Sequence, residues 1–578
     1  MMGQAGNCGG LEPPLKRLEH ELGNVYGQAV LKSLWPRVVA VLEAYRPPVS
    51  GESRGVLPLD EGDVVLITYA DQVQAPPEAP LKVLADFLRE QAQPCISAVH
   101  LLPFYPYTSD DGFSVVDYKS VNPEFGTWED VSRLGRDFDL MFDAVINHAS
   151  VQSAWFQNFL RNEAPWRDFF ITIEGGPDLS KVIRPRTLPL LTEFQTAAGA
   201  KRVWTTFSAD QVDLNCRSPK VFLEVLRVLL EYARRGARFI RLDAVAFLWK
   251  EPGTTCLHLP QTHALIRAMR AALDAVFPQT LLITETNVPH RDNVSYFGDG
   301  RHEAQLVYNF ALPPLTLHAL LRGDASVLSR WAAGLEYPSP CVTFFNFLAS
   351  HDGIGLNPAR GILPEQEIHF LVDHVASGRG FISWKSNPDG SRSPYELNVN
   401  YMDALGLDGE TEDVLVKKFL TAHAILLSLR GVPGIYFHSL FGSRGDRAGA
   451  EASGIPRRIN RQKFWRSTLE NELRQPGSLR SAIFQGMTGM LRQRRGHPAF
   501  SPHATQEVFL GDQRLFVLKR EPILGRPVWC VHNVSASAVQ WDAPKPASAL
   551  RDLLTGQQWG QGGVPLGPWQ TCWLEQVD

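Results

Sequence analysis

The sequence predicts a closed (β/α)8 barrel, an α/β fold, with two long rim insertions and a small β domain behind it. Three observations predict it. Short runs of strand-forming residues alternate with helical patterns through the middle of the chain. Two of these runs, Phe239-Ile-Arg-Leu-Asp243 and Leu281-Leu-Ile-Thr-Glu285, each end in a carboxylate, and about forty residues separate them, as in a strand–helix–strand unit. After Pro498 the pattern changes to short strands separated by turns.

The whole chain sets outer bounds. Its 578 residues suffice for one large catalytic domain with smaller attachments. With 57 basic and 61 acidic residues the net charge is −4, which argues against nucleic acid as the main partner. Seven cysteines, from Cys8 to Cys572, show no CxxC spacing. They read as free thiols in a reducing compartment, not as a zinc site or disulfide framework. Residues 1–11 lack a basic stretch followed by an apolar one, so no signal peptide is expected. No apolar run reaches membrane-spanning length. These features predict a cytoplasmic protein without a membrane partner.

Residues 1–61 read as a helical extension. Leu15, Leu18 and Leu22, then Val30, Leu31, Leu34 and Val38, recur at helical spacing before Pro47, Pro48 and Gly51 break the pattern. The barrel is expected over 62–497, with strands at 64–69, 99–104, 140–146, 239–245, 281–285, 306–312, 342–348 and 432–437. Leu81, Leu84 and Leu88 share one helical face between the first two strands. Ser218-Pro219 is a helix start, with Phe222, Val225, Leu226 and Leu229 as its inner stripe. One insertion, 149–217, follows the third strand, and another, 353–411, follows the seventh. Both leave from carboxyl ends of strands, so both should overhang the rim where barrel sites form. The β domain is expected over 498–578, with strands at 507–510, 515–519 and 528–533.

Polar residues gather at the strand ends: Asp110; Asp143, Asn147 and His148; Arg241 and Asp243; Glu285; His351 and Asp352. A single aspartate there is ordinarily a helix cap or an ion-pair partner. Such residues at successive strand ends of one barrel point to a sugar site, because two carboxylates flanking a sugar ring are the minimum for cleaving a glycosidic bond.

The strings Asp143-Ala-Val-Ile-Asn147-His148, Arg241-Leu-Asp243-Ala-Val, Ile283-Thr-Glu285-Thr-Asn and Ser350-His351-Asp352 resemble the four motif regions of the α-amylase superfamily. Within it, Leu102-Pro-Phe-Tyr-Pro, Asp110-Asp-Gly-Phe113, Phe207-Ser-Ala-Asp-Gln211-Val-Asp, Ala311-Leu-Pro-Pro314-Leu, His351-Asp-Gly-Ile-Gly355 and Pro456-Arg457-Arg458-Ile-Asn-Arg461 resemble the sucrose phosphorylase group. The resemblance implies Asp243 as nucleophile, Glu285 as general acid/base and Asp352 as transition-state stabiliser of a retaining reaction. It further implies that His148, His351 and Asp110 bind sugar hydroxyls, that Phe113 is an apolar platform, and that Gln211 lies close to the reacting sugar. Arg241, two residues before Asp243, should hold that carboxylate ionised, and it is expected among the substrate-binding residues.

For phosphate, the resemblance points to Arg186 in the first insertion and to Tyr395 in the second, with Arg457 on the acceptor side. It implies no cofactor and no metal. Partners are a sugar substrate and inorganic phosphate, and the chain is expected as a monomer or homodimer. Two features depart from sucrose phosphorylases. Phe247 stands where they carry Tyr, and the second insertion reads Arg392-Ser-Pro-Tyr395-Glu396-Leu-Asn398-Val-Asn400. Glu396 suits hydroxyl binding, while Arg186, Arg392, Arg457 and Arg458 suit a small anionic acceptor. The combination resembles the branch of the group that moves glucose between glycerate and phosphate. Fructose, fructose 6-phosphate and glycerol are the alternative acceptors. A hydrolase or transglucosidase of the same superfamily is the nearest rival, and a non-catalytic amylase-like binding protein the remotest.

Overall fold

The computed structural model describes residues 12–48, 57–387, 389–543, 549–560 and 562–577. Residues 1–11, with Cys8, and the expected break at Gly51 lie outside them. Eight parallel strands close a barrel: β1 Val65–Thr68, β2 Ala98–Leu101, β3 Asp139–Ala144, β4 Ala237–Leu242, β5 Leu281–Thr284, β6 Leu306–Tyr308, β7 Thr343–Phe347 and β8 Val432–Tyr436. They follow one another in chain order, and β1 closes on β8 with Ile67 beside Tyr436. Nearly every residue of these strands is buried, since the barrel interior and the helical ring cover both faces. The predicted barrel is therefore present strand for strand.

The crossovers are mostly long helices, among them Pro80–Gln91, Pro219–Arg234, Pro260–Val276 and Glu412–Ser428. Between β5 and β6 the connection is shorter, with only the turns His290–Asn293 and Val294–Phe297. The N-terminal segment forms two helices, Pro14–Tyr26 and Gln28–Tyr45, against the outer ring. Arg17 pairs with Asp274 at 2.8 Å and Arg267 with Glu21 at 2.7 Å, and Leu18, Leu22, Leu34 and Val38 are buried.

The first insertion contains more regular structure than its sequence shows. Its strands Thr172–Ile173, Leu191–Thr196 and Gly199–Trp204 make a three-stranded antiparallel sheet. A second pairing, His148–Ser150 with Gln211–Asp213, folds both ends of the insertion onto the barrel mouth. The second insertion holds a helix, Glu365–Ala376, and a hairpin of Phe381–Ser386 with Arg392–Asn398. The two insertions touch where Arg184 bridges to Ser386. Beyond the barrel, Thr505–Phe509, Leu515–Glu521, Val528–Asn533 and Thr571–Gln576 belong to a six-stranded antiparallel sheet. The thiols of Cys95, Cys216, Cys256, Cys530 and Cys572 are free and buried. Among the described residues, no helix is long and apolar enough to cross a membrane.

Candidate active site

Strand register places the carboxylates. Arg241 lies beside Asp143 across the β3–β4 pair, and Leu242 beside Thr284 across β4–β5. Asp243 and Glu285 are the next residues along, and both backbones continue the ladder: Asp243 N–H donates to Ala144 O and Glu285 N–H to Leu242 O, each at 3.2 Å. Side chains one step beyond adjacent parallel strands sit at one level, so both carboxylates reach the same rim.

They line a cavity with Asp110, Phe113, His148, Arg186, Phe207, Gln211, His351, Asp352, Tyr395 and Arg457. Gly353 follows Asp352 where the hairpin crosses closely. A Cβ there would collide with the Leu397 carbonyl, so only glycine lets the hairpin pack on the end of β7.

Asp143 is fully buried beneath the floor. Burial alone would raise its pKa, but Arg241 and His100 outweigh that and bring it to about 2. Arg241 bonds Asp143 and also donates to Asp243 Oδ1 at 3.0 Å, with Glu285 Oε2 at 3.9 Å. Burial pushes Asp243 and Glu285 upward together, with Arg241 opposing in both cases. Two carboxyls so placed retain a proton between them. Of the two, only Asp243 accepts a hydrogen bond from Arg241, which favours the negative charge there over Glu285. Glu285 Oε2 accepts from Ala244 N–H at 2.8 Å, which leaves Oε1 to carry the proton.

Asp352 differs. Burial favours its neutral form, yet Arg457 above all, with Arg461 and Arg241, holds it well below the usual carboxylate range. Arg457 Nη1 lies 2.6 Å from Asp352 Oδ1. The histidines are neutral: burial lowers His148 and takes His351 to about 3. His148 Nε2–H donates to Phe113 O at 2.8 Å, and the His351 ring stacks on Phe113 at 4.7 Å between centroids.

The structure corrects four of the placements expected from sequence, by position or by partner. Arg241 is 3% exposed: it donates to Asp243 from below, as expected, but it does not line the cavity and so is not placed to bind substrate. Glu396 is 1% exposed, with both oxygens taken by Arg457 at 2.9 and 2.6 Å, so it has no oxygen to offer an acceptor hydroxyl. Arg458 pairs with Asp111 at 2.9 Å, and Arg392 is exposed at the far end of the hairpin opposite Ser386. Neither lines the cavity.

Other contributors were not singled out from sequence. Thr286, Asn287, Val288 and Phe310 also line the cavity, and position directly after Glu285 was the available signal for the first three. Arg461, at the end of the Pro456–Arg461 string, bonds His351 O at 3.0 Å and Asp111 at 2.8 Å. Lys250 is buried with Asp213 Oδ2 and Asn147 Oδ1 both at 2.5 Å. Nothing in Trp249-Lys250 signals that partnership.

A barrel whose adjacent strand ends bring two buried carboxyl groups over one arginine, at the wall of a single cavity, has the equipment that glycoside chemistry needs. The family model for the α-amylase catalytic domain matches residues 92–330. The chain is 50% identical to glucosylglycerate phosphorylase of Allomeiothermus silvanus, over 98% of this chain and 99% of that one. It is 49% identical to glucosylglycerate phosphorylase of Spirochaeta thermophila, over 97% and 98%. Its fold is similar to sucrose 6F-phosphate phosphorylase from Thermoanaerobacter thermosaccharolyticum, with a TM-score of 0.72 at 25% identity, covering 82% and 94%. The chain belongs to the α-amylase superfamily and, within it, to the glycoside phosphorylases of the sucrose phosphorylase group.

Proposed function

We propose that the protein reversibly transfers glucose from 2-O-α-D-glucosyl-D-glycerate to inorganic phosphate, yielding α-D-glucose 1-phosphate and D-glycerate. The observation that carries this reading is the step in identity. It stands at 50% and 49% to relatives named for glucosylglycerate, against 25% to one named for sucrose 6F-phosphate.

The reaction is a double displacement. Asp243 attacks the anomeric carbon as Glu285 passes its proton to the glycosidic oxygen, and glycerate leaves. A phosphate oxygen then attacks the glucosyl ester, giving its proton to Glu285 and freeing Asp243. Inversion twice gives net retention. Ionised Asp352, braced by Arg457, faces the positive charge that develops on the ring. Asp110, His148 and His351 bind glucose hydroxyls, Phe113 supports the ring, and Gln211 lies beside it. Arg186 and Tyr395 receive phosphate.

The test is phosphate release from α-D-glucose 1-phosphate with D-glycerate, glycerol, fructose or fructose 6-phosphate as separate acceptors. Release specific to glycerate is expected. Release with another acceptor keeps the mechanism and replaces the acceptor. Slow release that ignores all of them turns the reading to hydrolysis.

A further inference from the structure

The cavity is short of free positive charge. Four carboxyl groups line it, Asp110, Asp243, Glu285 and Asp352, with one proton shared between Asp243 and Glu285, against two guanidiniums, Arg186 and Arg457. Arg457 is already engaged: its Nη1 lies 2.6 Å from Asp352, and its Nε and Nη2 hold both oxygens of Glu396 at 2.9 and 2.6 Å. Three of its nitrogens thus face carboxylate oxygens, and two negative charges oppose its one positive charge. Arg241 beneath the floor is likewise taken by Asp143 and Asp243. Arg458 is taken by Asp111, and Arg461 by Asp111 at 2.8 Å with Asp110 and Asp352 nearby. The two histidines facing the cavity are neutral at physiological pH because burial disfavours their charged forms.

Arg186 remains. Its guanidinium carbon lies 6.0 Å from the centroid of the Phe207 ring, and it faces no carboxylate among the described residues. It is half-buried at the cavity wall, near Tyr395. A guanidinium with open N–H donors at the edge of an acidic cavity is suited to a planar or tetrahedral oxyanion.

Resting on the glycerate reading above, we propose that Arg186 is the single anion seat of the acceptor half, taking the carboxylate of glycerate in one half-reaction and phosphate in the other. The seat makes the two acceptors interchangeable at one cation. It also explains how an acidic cavity accepts a carboxylic acid at all: an anion placed anywhere else in it meets carboxylates or arginines already neutralised by them. Neutral acceptors gain nothing from the seat, so it favours charged acceptors over glycerol.

Two measurements test this. Glycerate-dependent phosphate release from α-D-glucose 1-phosphate by the wild type comes first. If it is missing, the glycerate reading fails, and this inference falls with it. With that release established, calorimetry on the Asp243→Asn protein, saturated with D-glucose, titrates D-glycerate at rising phosphate concentrations. One seat predicts that the apparent Kd for glycerate climbs in proportion to phosphate without levelling. A plateau, or no dependence, shows two seats and overturns the proposal. In parallel, Arg186→Gln and Arg186→Lys are compared with wild type for both anions. Charge-assisted hydrogen bonds of this kind are worth roughly a 10- to 150-fold change in affinity. Arg186→Gln should weaken phosphate and glycerate by similar factors in that range, with partial recovery in Arg186→Lys. Loss of phosphate binding with glycerate retained moves the carboxylate to another cation and sinks the shared seat.

Discussion

Ala244, the residue after the proposed nucleophile, donates its backbone N–H to Glu285 Oε2 at 2.8 Å. To do so it adopts a left-handed conformation, φ 47° and ψ 31°, which a residue with a Cβ ordinarily avoids at a cost of about 1–2 kcal/mol. Asp110 and Asp111, across the cavity, are also left-handed, with φ of 52° and 46°. Strain of this kind persists where surrounding contacts over-determine it, and here it fixes the direction of Glu285 relative to Asp243.

That relationship sets the pH profile. Burial lifts Glu285 above the ordinary glutamate range, so it remains protonated where a solvent-exposed glutamate would have ionised. The kcat/KM for phosphorolysis should fall at acid pH as Asp243 is protonated, and at higher pH as Glu285 loses its proton. In Glu285→Gln, α-glucosyl fluoride, whose leaving group needs no proton, should still release fluoride without the alkaline fall. An unchanged alkaline limb in that variant would place the titrating acid elsewhere.

Replacing Asp243 by Asn should lower turnover on the order of 10⁴-fold or more, because an amide is a poor nucleophile and the residual rate rests on binding alone. NMR of the first sugar phosphate formed by the wild type should show only the α anomer. A β anomer as initial product would falsify the double displacement.

Asp111 provides a stability test. Burial would raise its pKa, but Arg458 and Arg461 outweigh that and bring it from 3.8 to about 2. A depressed carboxylate contributes stability that is complete above its unfolded pKa and is lost as pH falls through the folded one. Urea unfolding between pH 5 and 2 should therefore show a loss concentrated between about 4 and 2. Asp111→Asn should be less stable near neutrality and flatter across that interval. Parallel curves for both proteins would mean that the pair with Arg458 and Arg461 contributes nothing.

The sequence made the scaffold legible for a physical reason. Strands buried on both faces must be short apolar runs, and the carboxylates Asp243 and Glu285 end two of them directly. Position along a strand is therefore readable as position on the rim. Pairing between distant loops is not. Glu396 and Arg457 stand 61 residues apart, and their mutual neutralisation reversed the expected role of Glu396 from acceptor binding to bracing Arg457. Arg392 and Arg458 resemble Arg186 in sequence as basic residues of loops, yet of these three only Arg186 lines the cavity. The small antiparallel sheet of the first insertion was likewise hidden, since its half-exposed strands carry no continuous apolar run.

The Arg457–Glu396 pair should reveal its coupling in a double-mutant cycle. Arg457→Leu leaves Glu396 buried without its cation and should cost about 3–5 kcal/mol of stability. Arg457→Leu with Glu396→Leu removes both charges and should regain most of it. Activity should return in neither protein, since Asp352 loses the guanidinium 2.6 Å away. Thermal unfolding with kcat/KM on the same samples separates the two effects. Additive losses of stability would show that the two residues do not act as a pair.

Lys250 gives the most direct test of how the first insertion is tied to the sugar site. Its side chain is buried, and the ammonium lies 2.5 Å from both Asp213 Oδ2 and Asn147 Oδ1. Asn147 in turn donates to His148 Nδ1 at 3.2 Å, and Asp213 sits opposite His148 across the short antiparallel pair that also carries Gln211. Thr206 adds a backbone N–H to Asp213 at 2.8 Å, so one buried charge gathers both ends of the insertion. Lys250→Met keeps the length of the chain but leaves Asp213 without its cation. Stability should fall by about 3–5 kcal/mol, the usual consequence of stranding one partner of a buried ion pair. Because His148 and Gln211 then lose their fixed positions, the KM for glucosyl donor should rise more than kcat falls. An unchanged melting temperature would show that Asp213 and Asn147 are satisfied without the lysine. A lowered melting temperature with an unchanged KM would confine Lys250 to holding the insertion, with His148 positioned by its bond to the Phe113 carbonyl alone.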